Sequence, residues 1–349
     1  MRLNEQGILV RAAAFAAALI IPLAMTAGAV RAQNNKTYVM KITFPTLHDT
    51  IHQVALNYAA AVEKDSGGRI KVQIYPASQL GSIPRQIEGT QFGSIQCAMI
   101  PPEFFVGVDQ RFEVMAAPGL VNSMAQGQRV AADPAVLNLM LGLGADKGLH
   151  GVGLFMATPS AVISRTPIRH LADFKGKKIR IFASKFQSVA FERLGATPVA
   201  MTLGDVLPAI QQGTIDGADA ALNVYVPFHY VDAAKYVTET NQPAIFIIIE
   251  LSRKWYDTLP KDLQQIVDKD AATESVKINP WGLDFRHKMQ KAWVAQGGEL
   301  IELPAKEQTE MMKTLASVGE DVSKSSPSLH EAYETVVAAA KRAQATASR

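Results

Sequence analysis

The sequence predicts an α/β protein of two domains, and three observations lead to this fold class. Runs with the two-residue period of a strand alternate with runs of helical period from residue 38 onward, which is typical of a largely parallel sheet covered by helices. A β-α-β-α-β order of this kind occurs twice, although the two sets share no residue-level repeat. The chain has 349 residues, which is more than one hydrophobic core usually serves, so we expect two cores.

The first β-α-β-α-β set lies in the N-terminal part of the chain. Polar and apolar residues alternate over 69–74, which predicts a strand with one buried face. The pair Gly67-Gly68 marks the end of the preceding helix, whose apolar residues fall on one face. The predicted elements are a strand ending at Pro45, a helix over 51–64, a strand over 69–74, a helix that includes Ile83, Ile87 and Thr90, and a strand over 95–100.

The second set begins after residue 158, and a mainly helical part follows it. No low-complexity linker separates the two halves, so we expect strands that cross between the domains instead of a flexible tether. The predicted elements are a strand over 178–182, a helix from Ser184 to Gly195, a strand over 198–201, a helix from Thr202 to Gly213, a strand over 214–220, a buried strand over 245–249, and helices from Pro260 onward.

The N-terminus has the pattern of a secretory signal peptide. Basic residues flank an apolar run, and Val30 and Ala32 are small residues at the −3 and −1 positions of a cleavage site. We therefore expect residues 1–32 to be removed after Ala32 and the protein to be exported to the periplasm. An uncleaved membrane anchor is the alternative, since the apolar run is long enough to occupy a bilayer.

The charge of the mature chain argues against a nucleic-acid partner. Residues 1–32 hold three of the 35 basic and one of the 32 acidic residues, so 32 basic and 31 acidic residues remain. A near-neutral chain without a basic block has little attraction for phosphate backbones. The single cysteine, Cys97, lies in an apolar segment and cannot form an internal disulfide, so we expect a buried and inert thiol.

Signatures of catalytic and cofactor sites are missing from the sequence. There is no G-x-S-x-G elbow and no Walker loop, and the glycines between Gly142 and Gly153 depart from the G-x-G-x-x-G spacing. His48 and His52 have the spacing of a zinc pair, but the glutamate of H-E-x-x-H is absent and His48 precedes the predicted helix. We expect no catalytic residue, cofactor or metal, while His48 stays a candidate for ligand contact at the end of a strand.

An arginine within an apolar strand is the clearest candidate for ligand binding. Ile179 and Ile181 must share one face of the strand, which leaves Arg180 and Phe182 on the other. A guanidinium on a partly apolar wall needs an anion, because an unpaired buried charge is costly, and it binds a carboxylate through two parallel hydrogen bonds. The anion is either an internal aspartate or the carboxylate of a ligand.

Several motifs, in a fixed order, resemble those of a known family. They are S-G-G-R-I-K-V-Q-I-Y-P-A-S-Q-L-G, D-F-K-G-K-K-I-R-I, L-G-A-T-P-V-A-M and A-I-Q-Q-G-T-I-D-G-A-D. Over roughly residues 38–290 the chain is similar to the dicarboxylate-receptor-like solute receptors of tripartite ATP-independent periplasmic (TRAP) transporters. The resemblance implies a two-domain periplasmic-binding-protein-like fold. Each domain is then a mixed sheet flanked by helices, and crossing strands and a long helix form the hinge.

The resemblance also implies domain boundaries, a role for Arg180 and partners. Residues 37–157 and 246–285 are expected to form domain I, and residues 158–245 and 286–345 to form domain II, with the ligand cleft between them. In the family, the arginine of the K-I-R motif clamps the ligand carboxylate, and this role falls on Arg180. The loaded receptor, expected to be a monomer, would deliver an organic acid to a small and a large membrane subunit driven by an ion gradient.

Two departures from the family pattern favour a ligand with an apolar body. Pro159 lies near the place where many members carry a second arginine, and Ala220 follows Asp219 where a polar residue is common. We therefore expect a hydrophobic or aromatic monocarboxylate. The candidate ligand-binding residues are Arg180, Phe182, Phe44, His48, Glu103, Leu203, Asp219 and Tyr225. The aromatic residues among them could instead belong to the core.

Four alternatives stay open from the sequence. The ligand could be a C4-dicarboxylate or a keto acid within the same transporter class. The protein could serve an ATP-driven importer, or it could be a binding protein linked to a sensor. An exported hydrolase is the alternative from another class, although no nucleophile–base pair stands out in the sequence.

Overall fold

The computed structural model describes residues 36–347. The expected signal peptide, residues 1–32, lies outside the described residues. Within residues 36–347, no helix combines the length and the apolar composition that a membrane span requires.

The strands and helices are numbered here in chain order. The strands are β1 (Tyr38–Thr43), β2 (Ile70–Tyr75), β3 (Cys97–Ile100), β4 (Leu149–Pro159), β5 (Ala161–Ser164), β6 (Lys178–Ile181), β7 (Thr197–Ala200), β8 (Gly217–Ala220), β9 (Tyr236–Thr238), β10 (Ala244–Ser252) and β11 (Glu299–Ile301). The α-helices are α1 (Thr50–Asp65), α2 (Ile83–Phe92), α3 (Met124–Ala131), α4 (Pro134–Gly142), α5 (Lys185–Arg193), α6 (Leu203–Gln211), α7 (Leu222–Tyr225), α8 (Arg253–Tyr256), α9 (Lys261–Lys277), α10 (Asn279–Ala295), α11 (Ala305–Leu315), α12 (Val318–Ser323) and α13 (Pro327–Ala347). Two 3₁₀ helices near the cleft are Pro102–Phe105 and Gln110–Ala116.

The first sheet is mixed and has the strand order β2-β1-β3-β10-β4. β1 runs parallel to β2 and β3, whereas β10 runs antiparallel to β3 and β4. Helix α1 packs against β2 and α9 with the face that carries Val54, Tyr58 and Val62, all buried. These residues are spaced by four, as the buried face of a helix requires.

The second sheet is also mixed and has the strand order β11-β9-β5-β8-β6-β7. β6 lies between β7 and β8 and runs parallel to both, and β5 runs antiparallel to β8 and β9. Because β6 and β8 are parallel neighbours, their carboxyl ends lie at the same edge of the sheet, where ligands collect in α/β proteins.

The chain crosses between the two sheets through two short connections, and a longer helical connection leads from β10 to β11 of the second sheet. Only Ser160 separates β4 of the first sheet from β5 of the second, and residues 239–243 lead from β9 back to β10. Helix α10 lies along these crossings and contacts β4 as well as α7 and β11. The expected fold is therefore confirmed: two mixed sheets flanked by helices, joined by crossing strands and by a long helix.

The C-terminal helix returns to the first sheet. Helix α13 packs against α3 and α4, and both of these contact β4. The domain boundaries expected from the sequence stay a proposal. The packing of α13 favours one change to that proposal, in which domain II ends before Pro327 and the chain from Pro327 onward belongs with domain I.

Candidate ligand-binding site between the two sheets

A cavity of about 40 Å³ lies between the two sheets. By the same measure a single water needs about 10–15 Å³, so the cavity holds several waters or a small organic molecule. Seventeen residues from both halves line it, and twelve of them are apolar. The five polar residues are Thr46, Asp49, Thr158, Arg180 and Asn223. Specificity therefore depends on a small number of polar groups in an apolar cavity.

Strand β6 places Arg180 at this cavity. Ile179 and Ile181 pack with Phe174 and Phe191 in a separate cluster on one face of the strand. Arg180 is on the opposite face, is only 1% exposed and lies with its Cζ 4.6 Å from the centroid of the Phe182 ring. The predicted division of the strand into two faces therefore places a cation beside an aromatic wall of the cavity.

Arg180 is held by backbone carbonyls and has no carboxylate partner within residues 36–347. Its Nε donates to the carbonyl of Met201 and its Nη1 to the carbonyl of Asp219, both at 2.9 Å. Its Nη2 donates to no atom of the described residues, although Asp219 is adjacent. Burial lowers the pKa of Arg180. A buried guanidinium in this state favours an anionic ligand, because nothing else nearby compensates its charge.

The buried acids Asp219 and Glu103 do not supply the missing charge. Burial raises the pKa of Asp219 to about 8, against the opposing influence of Ser160 and Arg180. Burial also raises the pKa of Glu103 to about 8. The atoms Asp219 Oδ1 and Glu103 Oε2 have no hydrogen-bond partner within residues 36–347. Both carboxyl groups are thus mainly neutral at pH 7, and the positive charge of Arg180 stays available.

Asp49 and Asn223 form a hydrogen bond between the two halves of the molecule. Asp49 is the N-cap of α1, where its Oδ1 accepts from the backbone nitrogen of His52 at 3.0 Å. Its Oδ2 accepts from Nδ2 of Asn223, on α7, at 3.3 Å. Burial raises the pKa of Asp49 to about 6, while the backbone N–H of His52 acts in the opposite direction. Asp49 is therefore mainly ionised at pH 7.

Two further contacts join the halves near the cavity. Glu113 lies at the N-terminus of α5, and its Oε2 accepts from the backbone nitrogen of Lys185 at 2.6 Å and from the Ser184 hydroxyl at 3.3 Å. A carboxylate is favoured there by the helix dipole and by the free N–H groups of the first turn. The rings of Phe104 and Phe182 stack with centroids 5.3 Å apart. The cleft is thus closed over the cavity by polar and aromatic contacts.

The structure brings three of the eight sequence-predicted residues to the cavity wall. Arg180, Phe182 and Leu203 line it, and Asp219 lies behind Arg180, with its backbone carbonyl bound to the guanidinium. Glu103 is buried next to Phe104, which lines the cavity in its place.

The other three predicted residues lie away from the cavity wall. Phe44 is fully buried, and its ring packs 5.2 Å from that of His52. Tyr225 is fully buried, and its hydroxyl lies 2.8 Å from the carbonyl oxygens of Ala161 and Ala218, so it braces β5 and β8. His48 is exposed and adopts a φ of 53° before α1, and its ring stacks on that of His52.

A smaller chamber of about 10 Å³ adjoins the cavity on the side of the crossing strands. It shares Ala157, Thr158 and Asn223 with the cavity. Its far wall contains Arg286 of α10, whose Nη2 pairs with Glu239 at 3.0 Å. This second arginine already has a carboxylate partner, so Arg180 is the cation that faces the cavity without one.

The chain matches a described family over most of its length. Residues 43–325 match bacterial extracellular solute-binding protein, family 7 (DctP). The chain is 29% identical over 208 residues to the uncharacterized protein YiiZ of Salmonella typhimurium, a match over 59% of this chain. That match spans 64% of the relative, slightly less than two thirds of its length.

A second relative and a solved structure agree with this match. The chain is 26% identical over 273 residues to the C4-dicarboxylate-binding periplasmic protein DctP of Rhodobacter capsulatus, covering 77% of this chain and 81% of that protein. Its fold is similar to the crystal structure of a TRAP periplasmic solute-binding protein from Shewanella oneidensis with bound succinate. That similarity has a TM-score of 0.80 at 21% identity and covers 87% of this chain and 99% of the other.

Proposed function

The chain belongs to bacterial extracellular solute-binding protein family 7 and is therefore a binding protein rather than an enzyme. From this premise we propose that it is the periplasmic receptor of a TRAP transporter. It captures a carboxylate in the cavity between the two sheets and delivers it, as a monomer, to a small and a large membrane subunit. The similarity in fold to the TRAP solute-binding protein of Shewanella oneidensis supports this assignment.

The observation that carries the proposal is the state of Arg180. It is buried at the cavity, and within residues 36–347 it has no carboxylate partner and its Nη2 group donates to no atom. The buried acids Asp219 and Glu103 have raised pKa values and stay mainly neutral at pH 7. A ligand carboxylate supplies the missing negative charge and accepts from the free donors of the guanidinium.

Within this class, the ligand is a monocarboxylate with an apolar or aromatic body. The walls are formed mainly by apolar side chains such as Ile51, Phe104 and Ile247. Burying the apolar part of a ligand of about the size of one large side chain contributes about 1.5–3 kcal/mol to binding. Among residues 36–347 a second carboxylate would find no second cation on the cavity wall, and it would meet Asp49, which repels it once ionised above about pH 6. The succinate bound by the Shewanella protein is thus the less favoured ligand here.

A thermal-shift panel of organic acids tests the proposal. Each ligand that binds only the folded form raises the melting temperature, with about 2.7 kcal/mol of stabilisation at a hundredfold excess over Kd. We expect benzoate, phenylacetate or branched short-chain acids to raise it more than succinate or malate do. If neutral sugars shift the transition and no carboxylate does, the ligand class is wrong. If succinate or malate binds most tightly, only the monocarboxylate specificity is wrong.

A further inference from the structure

A group of three polar side chains on the cavity wall is not hydrogen-bonded to Arg180. Thr46 and Asp49 precede α1, and Asn223 belongs to α7, so the group is assembled from both halves of the molecule. All three side chains are at least nine-tenths buried. The clamp proposed for the carboxylate does not use them.

The hydrogen bond from Asn223 to Asp49 fixes the orientation of the asparagine amide. Asp49 offers only acceptor atoms when ionised, so the Nδ2 group of Asn223 must face it, at 3.3 Å. The Oδ1 atom of Asn223 then faces away from Asp49, and it is buried without a hydrogen-bond partner among residues 36–347. Asp49 is thus a positioning residue that keeps an acceptor unoccupied on Asn223.

The hydroxyl of Thr46 is in a similar state. Thr46 Oγ1 is buried and forms no hydrogen bond of ordinary geometry with the described residues, although it lies close enough to the Asp49 carboxylate to help hold the pKa of Asp49 down. By contrast, the other threonine on the wall, Thr158, donates to the carbonyl of Pro159 at 3.1 Å. Among residues 36–347, Asn223 Oδ1 therefore has no hydrogen-bond partner, and Thr46 Oγ1 has only the Asp49 carboxylate nearby. Buried polar atoms in this state cost stability, and most of them find a partner in a ligand or a water.

The chemistry of the two oxygens selects one kind of ligand group. Asn223 Oδ1 can only accept, whereas Thr46 Oγ1 can donate or accept. A ligand hydroxyl satisfies both, because it donates to Asn223 and accepts from Thr46. A ketone oxygen leaves Asn223 Oδ1 without a donor, and an alkyl group leaves both oxygens unpaired.

We propose that Thr46 and Asn223 bind a hydroxyl group of the ligand, so that the ligand is a hydroxy monocarboxylate with an otherwise apolar body. This inference rests on the proposed function, because it assumes that the ligand carboxylate is bound by Arg180. It adds a second anchor that defines the position of the hydroxyl along the carbon chain.

Calorimetric titration with a matched set of five-carbon acids tests the inference. The probes are pentanoate, its 2-, 3-, 4- and 5-hydroxy derivatives, and 4-oxopentanoate. Sites that hydrogen-bond a substrate hydroxyl discriminate strongly against analogues that lack it. We expect at least one hydroxypentanoate to bind about tenfold or more tightly than pentanoate and than 4-oxopentanoate.

Thr46→Val is the decisive variant, because it removes the unpaired hydroxyl and keeps the shape of the side chain. It should reduce the ratio between the affinity for the preferred hydroxy acid and the affinity for pentanoate, because one of the two groups that bind the hydroxyl is lost. Ser164→Ala is the matched control, since the Ser164 hydroxyl of β5 is also buried without a partner among residues 36–347 but does not line the cavity. It should leave both affinities unchanged.

The outcomes separate this inference from the function it rests on. If pentanoate and all four hydroxy acids bind the wild-type protein within about threefold of one another, the hydroxyl subsite is wrong and the receptor assignment stands. The hydroxyl subsite is also wrong, and the receptor assignment still stands, if Thr46→Val keeps the full preference for the hydroxy acid over pentanoate. The same conclusion follows if 4-oxopentanoate binds as tightly as the best hydroxy acid. If no carboxylate binds at all, the proposed function fails and the hydroxyl subsite fails with it.

Discussion

Nδ2 of Asn223 donates a hydrogen bond to the Asp49 carboxylate at 3.3 Å. Asn223 lies in α7, after strand β8 of the second sheet, and Asp49 lies in the loop after strand β1 of the first sheet. This bond exists only when the two halves are close together. It therefore makes the closed form sensitive to the charge at position 223.

Asn223→Asp should weaken ligand binding in a pH-dependent way. The change places a second carboxyl group beside Asp49, whose pKa is already raised to about 6 by burial. Above about pH 6 the two carboxylates repel each other and open the cleft, whereas protonation of one of them at about pH 5 restores a hydrogen bond. The measurement is the ratio of variant to wild-type affinity at about pH 5 and pH 8. An equal ratio at both pH values, as expected for the uncharged control Asn223→Ala, would contradict this account.

Glu113→Ala should shift the protein towards an open form. Glu113 accepts from the backbone nitrogen of Lys185 across the cleft, at the N-terminus of α5. Losing such a contact costs about 1 kcal/mol, or about fivefold in affinity if the open form does not bind. Small-angle scattering of the ligand-free protein should give a larger radius of gyration than that of the wild type. Glu88→Ala, at an exposed ion pair on α2, is the control. If the radius of gyration of Glu113→Ala equals that of Glu88→Ala, the contact of Glu113 has no role in closure.

Glu103 should make the folded protein less stable as the pH rises. Burial raises its pKa from the ordinary 4.5 to about 8, so the folded form holds a proton that the unfolded chain has lost between these values. Stability therefore falls from about pH 4.5 to pH 8, by about 5 kcal/mol at most. Glu103→Gln is neutral throughout and should flatten this fall in urea titrations at several pH values. A variant curve parallel to that of the wild type would show that Glu103 does not titrate in this range.

The division of β6 into two faces could be predicted from the sequence, because it depends only on strand geometry. Ile179 and Ile181 alternate with Arg180 and must therefore face away from it. The crossing of strands between the two domains was also predicted, because no low-complexity linker separates the two halves of the sequence. In both cases neighbouring residues determined the outcome.

Strand β4 was not predicted, because its glycines obscure the strand pattern. Gly151 and Gly153 lie in its middle, where glycine normally weakens a strand. A Cβ on Gly151 would lie 2.6 Å from the backbone of Leu141 in α4, and one on Gly153 would lie 2.5 Å from Ser275 Oγ in α9. Helices on both faces approach this strand closely. The glycines are needed for that tertiary packing, which no local pattern reveals.

The polar group around Asp49 was missed for a different reason. Asp49 is the N-cap of α1, but its second oxygen binds a residue 174 positions further along the chain. Tyr225 is the opposite case, a residue that was predicted to bind the ligand from its place in the sequence. Its hydroxyl instead lies against two carbonyls of neighbouring strands. Long-range side-chain pairing of this kind depends on how the two sheets close.

The most direct test is calorimetric titration of Arg180→Lys with the acid that gives the largest thermal shift in the wild-type protein. Lysine keeps the positive charge but loses the paired donors, and it leaves the carbonyls of Met201 and Asp219 with fewer partners. Arg169→Lys, at an exposed ion pair with Glu299 on the second sheet, is the control. Circular dichroism should first establish that both variants are folded.

If Arg180 clamps the ligand carboxylate, Arg180→Lys should weaken binding by about 2–5 kcal/mol, roughly thirtyfold or more, while Arg169→Lys binds like the wild type. A folded Arg180→Lys variant with a Kd within about threefold of the wild-type value would contradict the central claim.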